Sequence, residues 1–166
     1  MPKRKQIASQ STGNKKRIVW LGAMALLLMT GALLFNAPRG TEYIEIQFPD
    51  GTRVHAEVAD TPEKLLFGLA FREHLAADQG MLFIFDTSAP HKVWTKGFKI
   101  PVDILWLDES KHVVHMIEHA QPCSEDPCPW YGPETVNARY VLETRSGFIQ
   151  RVQVASGMEL TFILKM

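Results

Sequence analysis

Apolar and polar residues alternate with a period of two at the start of what reads as the folded body. Ile44, Ile46 and Phe48 are interleaved with Glu45 and Gln47, and Val54, Ala56 and Val58 with Arg53, His55 and Glu57. Each run is the signature of a half-buried strand. Between them Pro49-Asp50-Gly51-Thr52 carries the Asp-Gly turn signal, so the pattern predicts a hairpin. Asp60-Thr61-Pro62-Glu63 then announces a helix, with Asp60 as N-cap, Glu63 three residues on and a proline in the first turn. Leu65, Leu66 and Leu69 give it one apolar face, and Gly68 ends or kinks it. Residues 70–75 form a second short element of open type. Beyond Gly80 the apolar runs have strand length: residues 81–85, 92–94, 102–107 and 112–118, with Asp108-Glu109-Ser110-Lys111 as a hairpin loop between the last two. Residues 120–137 are rich in proline and turn formers, an excursion long enough to suspect function. Residues 139–143 read as a strand, 147–154 as a helical turn and 158–164 as a final strand. The pattern predicts an α+β fold, mostly antiparallel β, a small barrel-like domain with one or two short helices.

A different pattern precedes this body. Residues 18–35 contain no charge, and as a helix they would reach roughly 27 Å, close to the ~30 Å hydrocarbon core of a bilayer. Residues 1–17 carry Lys3, Arg4, Lys5, Lys15, Lys16 and Arg17 and no acidic residue. That asymmetry predicts a single-pass inner-membrane protein with a cytoplasmic N-terminus and a periplasmic or extracellular domain. A cleaved signal peptide is the rival reading, although Phe35 spoils the small-x-small pattern before Ala37. A buried soluble helix would show a polar stripe, and none is present. The expected organisation is a basic tail over 1–17, a transmembrane signal anchor over 18–37, a linker over 38–42 and a β-rich extracytoplasmic domain over 43–166.

The formal net charge of zero hides this division. Taking the six N-terminal cations from 18 basic residues leaves 12 against 18 acidic ones, a difference of six. A body of that sign is a poor partner for nucleic acid. In an exported domain the two cysteines, Cys123 and Cys128, favour a disulfide across Ser-Glu-Asp-Pro, two free thiols being the alternative.

Candidate chemistry is sparse. His112, His115, His119, Cys123 and Cys128 are ligand types at attractive spacing. On a strand, however, His112 and His115 point to opposite faces and His115 and His119 lie about 13 Å apart, so no metal is assigned. No Gly-x-Ser-x-Gly elbow, activated cysteine or glycine-rich phosphate loop occurs, so no catalytic residue and no cofactor are assigned either. The unusual feature is charge within apolar runs: Arg72 after Leu69-Ala70-Phe71, Lys96 between Trp94 and Phe98, and Asp103 between Val102 and Ile104. Such groups are normally paired or functional. They form either a structural cluster, Asp103 with Lys96 or Arg72, or a pocket for a small anionic ligand.

Gly68-Leu69-Ala70-Phe71-Arg72, Gly80-Met81-Leu82-Phe83-Ile84-Phe85, Trp94-Thr95-Lys96-Gly97-Phe98-Lys99-Ile100-Pro101-Val102-Asp103-Ile104-Leu105-Trp106-Leu107-Asp108, Pro122-Cys123 and Tyr140-Val141-Leu142-Glu143 together resemble the family catalogued as domain of unknown function 192, in register over about residues 42–164. The resemblance implies a compact β-rich domain, often exported or membrane-anchored, without an established activity. The chain departs from that pattern where Ala70 replaces methionine and Thr95, Gly97 and Phe98 replace Met, Asn and Thr. Arg72, Trp94, Lys96 and Asp103 match it and are carried over as ligand-binding candidates. The function expected is a non-catalytic small-ligand-binding or accessory module. The alternatives are a hydrolase or transferase using Asp103 and Lys96, and a scaffold presenting the 120–137 loop to an envelope-protein partner.

Overall fold

The computed structural model describes residues 18–24, 26, 27 and 42–164. The chain divides into two compact units, Met1–Gly40 and Thr41–Met166. In the first, the described residues 18–24, 26 and 27 are helical. The rest of the expected anchor over 18–37 lies outside the described residues. Among the described residues no helix is long and apolar enough to cross a membrane.

The second unit begins with the expected hairpin. Strands β1 (Tyr43–Gln47) and β2 (Arg53–Ala59) pair antiparallel, with Ile46 opposite Val54. Asp50 accepts the Thr52 N–H at 2.8 Å, and Gly51 at φ 88 closes the turn. Helix α1 (Pro62–Phe67) starts one residue later than its sequence pattern suggests. Thr61, not Asp60, is the N-cap, its hydroxyl accepting from the Lys64 N–H. Gly68 ends the helix at φ 50. Residues 70–75 form turns rather than a regular element. There follow β3 (Gln79–Ala89), β4 (Val93–Trp94), β5 (Val102–Leu107), β6 (Val113–Ala120), β7 (Trp130–Tyr131), β8 (Ala138–Arg145), helix α2 (Phe148–Val152) and β9 (Thr161–Leu164).

Seven strands make one sheet in the order β6-β5-β8-β3-β2-β1-β9, and β4 pairs with β7 in a separate ribbon. All neighbours in the sheet are antiparallel except β2 and β3, which run parallel across the α1 connection. The expected barrel is not formed, because β6 and β9 remain the two edges. The segment before β9 meets the start of β6 at one corner, where the Val113 N–H donates to Met158, the Gly157 N–H to Val113 and the Leu160 N–H to Lys111. The physical reason lies in burial. A barrel has one interior, whereas this sheet is covered on both faces along its central strands β5, β8 and β3. One cluster holds Leu82, Leu105 and Leu142 under Phe148, Ile149 and Val152 of α2. The other holds Phe83, Ile104, Trp106 and Val141 under Leu69, Val93 and Phe98 from the connecting segments. All six residues of β5 are therefore buried, as expected of a strand covered on both sides.

Asp103 belongs to the first face. Its carboxylate is fully buried and accepts the backbone N–H of Ile149 at 2.9 Å and of His119 at 2.9 Å. It thereby caps the start of α2, whose own N-cap, Gly147, offers no side chain. His119 reaches this position because β6 carries an extra residue opposite β5: Ile104 faces Ile117 while Val102 faces Ala120. This bulge gives His119 a φ of 54 and turns its N–H inward. The pairing of Asp103 with Lys96 or Arg72 expected from the sequence does not occur. Arg72 pairs with Glu57, and Lys96 pairs with Asp126 at 2.7 Å.

Two consequences are testable together by urea denaturation. Asp103→Asn turns an amide donor or a weaker acceptor toward two backbone N–H groups, and is expected to lower stability by about 2–3 kcal/mol. Lys96→Met removes an exposed ion pair and an exposed ammonium over Trp94, and should change stability by under about 1 kcal/mol. The double variant should show the sum, since the residues share no contact. Recovery of stability in the double variant would instead mean that the two charges are coupled.

Candidate functional site

The second face of the sheet carries another acid. β8 alternates so that Tyr140 and Leu142 face the α2 side while Val141 and Glu143 face the other. Glu143 lies mid-strand, opposite Met81 of β3 and Ile104 of β5, with 0% exposure. Neither carboxylate oxygen has a hydrogen-bond partner. Burial alone pushes its pKa from the ordinary 4.5 up to about 8, since a dry environment disfavours the charged form. A buried carboxyl without a partner is rare in native structures and calls for a reason.

Glu143 forms part of the wall of a pocket of about 180 Å³. Six of its twelve lining residues are aromatic: Phe67, Phe83, Phe85, Trp94, Phe98 and Trp130. Leu65, Leu66 and Val93 add aliphatic surface, and Lys92 is the other ionisable residue. The Lys92 ammonium is held at 2.6 Å by Glu134. Trp94 donates its ring N–H to the Leu66 carbonyl at 3.4 Å and stacks on Trp130, with centroids 4.8 Å apart. Gly68 must be a glycine here, because a Cβ would approach the Phe83 ring to 2.9 Å at a positive φ.

Trp130 is placed by the excursion loop, which the structure orders around a Cys123–Cys128 disulfide. Backbone bonds fasten it: the Cys123 N–H donates to Thr95 at 3.1 Å, and the Gly97 N–H donates to Cys123 at 2.9 Å. Its two-residue strand β7 then pairs with β4 and lays Trp130 over Trp94. A shallower groove of about 440 Å³ adjoins the pocket, sharing Leu66, Phe67 and Trp94 and adding Phe71, Lys96 and Lys99. Phe71 sits at φ 68, a conformation uncommon for a bulky residue, and its N–H donates to Gly97 at 3.0 Å.

Of the four sequence-derived candidates, the structure brings Trp94 and Lys96 together, with the ammonium 5.6 Å from the ring centroid. Arg72 is engaged by Glu57. Asp103 lies on the opposite face of the sheet, its oxygens taken by backbone donors. Glu143 was not among the candidates. The signal that could have found it is the alternation of Tyr140-Val141-Leu142-Glu143, which puts an acid on the same face as a buried valine.

An open seven-stranded sheet, covered on both faces along its central strands and carrying an aromatic pocket beside an unpartnered acid, defines a small β-rich α+β domain. The chain belongs to the DUF192 family, described as uncharacterized, whose model matches residues 45–162. A solved protein from Sinorhizobium meliloti 1021, named as a candidate transcription regulator, is similar at 27% identity and a TM-score of 0.66, covering 76% of this chain and 97% of its own. A protein of unknown function from Novosphingobium aromaticivorans DSM 12444 shares the fold at 22% identity and a TM-score of 0.64, covering 75% of this chain and 89% of its own. No curated protein matches the chain.

The raised pKa of Glu143 has a signed effect on stability. Below pH 4.5 the carboxyl is protonated in both folded and unfolded states and has no effect. Between 4.5 and about 8 only the unfolded chain ionises, so stability falls as pH rises. Above 8 both states are ionised and the fall ends. Glu143→Gln is expected to remove a slope of roughly 1 kcal/mol per pH unit across that window, read from urea midpoints at a series of pH values. Parallel curves for the two proteins would show that Glu143 is solvated or paired in solution.

The disulfide encloses a short ring and should contribute about 2 kcal/mol. Cys128→Ser is expected to leave the seven-stranded sheet intact by amide exchange while accelerating exchange in β4 and β7. Intact mass before and after reduction checks the bond itself.

Proposed function

We propose that this domain is a non-catalytic binding module, and that the pocket beside Glu143 takes one small, largely apolar molecule. The carrying observation is the carboxyl of Glu143, fully buried, unpartnered and at the wall of an aromatic pocket. Perturbed acids in clefts mark functional sites, and an apolar pocket with few polar groups is the usual form of a small-molecule site. The volume of about 180 Å³ suits a single ring, since an apolar cavity of roughly 150 Å³ holds one benzene.

The absence of catalysis in this reading rests on the pocket lining. It contains no serine, threonine, cysteine, histidine or second carboxylate to act with Glu143. A hydrolase or transferase built on Asp103 and Lys96 has little support, because one is sealed under α2 and the other is paired with Asp126 at the surface. An anionic ligand fits the Glu143 pocket poorly and would belong instead to the groove beside Lys96 and Lys99. The regulator name of the Sinorhizobium protein is not extended to DNA binding by this chain, whose residues 18–166 carry 12 basic against 18 acidic side chains.

Membrane anchorage through residues 18–37, with the domain outside, remains part of the proposal. It is supported by the charge-free run after six cations and by a disulfide suited to an oxidising compartment. The scaffold alternative draws on the exposed rim of Leu66, Phe67, Phe71 and Trp130. Native mass spectrometry of the full chain purified from its host is expected to release one small molecule per chain. Trp130→Ala, at a mostly exposed site, should lower occupancy several-fold without unfolding the domain. Occupancy unchanged in both Trp130→Ala and Trp94→Ala would remove the pocket from the proposal.

A further inference from the structure

Resting on that reading of the pocket, we infer that its ligand is a protonated primary or secondary amine on a small aryl or alkyl body, with Glu143 as its counter-ion. The argument begins with what the pocket leaves unsatisfied. Both oxygens of Glu143 lack donors and are closed to solvent by the pocket wall; where a ligand displaces that wall, an ammonium with two or more N–H groups can satisfy both at once. A quaternary ammonium would leave them unsatisfied, and an anion would be repelled once the acid ionises. The pocket supplies no competing donor. The Trp94 ring N–H is committed to the Leu66 carbonyl, and the Lys92 ammonium to Glu134.

The walls agree with a cation. Aromatic side chains make up half of the lining, and ring quadrupoles attract an ammonium most strongly where water is excluded. A protonated carboxyl donating to a carbonyl ligand would use one oxygen and leave the other unpaired. Among an alcohol, a quaternary ammonium and a primary or secondary ammonium on the same small body, the last is the one that offers donors to both oxygens.

Binding then has a proton balance. At pH 7 the free acid is protonated in about nine-tenths of molecules, given a pKa near 8. An amine arriving as its cation forms an ion pair only with the carboxylate, so close to one proton per complex passes from Glu143 to the buffer. No bond of the ligand is broken.

The test uses the full chain in lipid nanodiscs, with empty nanodiscs as blank, titrated calorimetrically with benzylamine, benzyl alcohol and benzyltrimethylammonium. Benzylamine is expected to bind at least about tenfold more tightly than the other two. Its apparent enthalpy should differ between phosphate and HEPES by the amount that release of about one proton predicts. Glu143→Gln should abolish both the preference and the buffer dependence while keeping benzyl alcohol binding. Equal binding of benzylamine and benzyl alcohol with no proton release would overturn the amine inference and leave the pocket standing. Binding of none of the three would overturn the pocket reading itself. If Glu143→Gln fails to fold, the buffer dependence of the unaltered protein still decides between these outcomes.

Discussion

Both faces of the central strands of a seven-stranded sheet have to be kept dry by a domain whose described helices beside it are six and five residues long. Helices this short cannot blanket a sheet, so the connections between strands do much of the covering. On one face α2 packs through Phe148, Ile149 and Val152, and the buried carboxylate of Asp103 caps its first turn. On the other face the cover is assembled from Leu69, Val93 and Phe98 in turns and ribbon. That patchwork leaves the gap in which Glu143 stands.

The two buried acids make the division plain. Asp103 and Glu143 lie on adjacent strands, one register position apart, since Asp103 faces Thr144 and Ile104 faces Glu143. They point to opposite sides. Asp103 accepts two backbone N–H groups and serves the fold. Glu143 has no hydrogen-bond partner and weakens the fold at neutral pH. A position at the centre of a sheet could hold an apolar residue without loss of packing. An acid held there carries the cost of desolvation, which is the observation on which the proposed site rests.

How much of this was legible depends on the range of the interaction. The β1–β2 hairpin, the extent of β5 and the short α2 follow from local alternation and turn chemistry, and all three appear where the pattern places them. The parallel pairing of β2 with β3 and the two-residue strand β7 depend on distant partners and leave no periodic trace. Asp103 drew attention because its neighbours are apolar, but its donors lie 16 and 46 residues away and are backbone groups that any sequence would offer. The sequence pattern over 139–143 puts Glu143 at a strand end, where an acid draws no notice. The strand runs to Arg145 and buries the acid mid-sheet. The departures from the family pattern also become clearer. Gly97 stands where the family carries asparagine and adopts φ 77, a region both residues tolerate. Phe98, standing for the family's threonine, is buried in the pocket wall.

The outermost wall of the pocket is made by the least regular part of the chain. Trp130 is more than half exposed, yet its ring lies on Trp94 because β7 pairs with β4. That ribbon consists of two residue pairs and would be marginal alone. It is held by the Cys123–Cys128 bond, by the backbone bonds of Cys123 to Thr95 and Gly97, and by Lys96 on Asp126 within the same loop. Lys96 therefore serves the site indirectly, by tethering the loop that carries Trp130 beside the tryptophan it also overlies. A reducing environment would release one of these tethers without touching the sheet. Trp130 would then be held over Trp94 by the β4–β7 pairs, the backbone bonds of Cys123 and the Lys96–Asp126 pair alone, while Glu143 and the inner phenylalanines stayed in place.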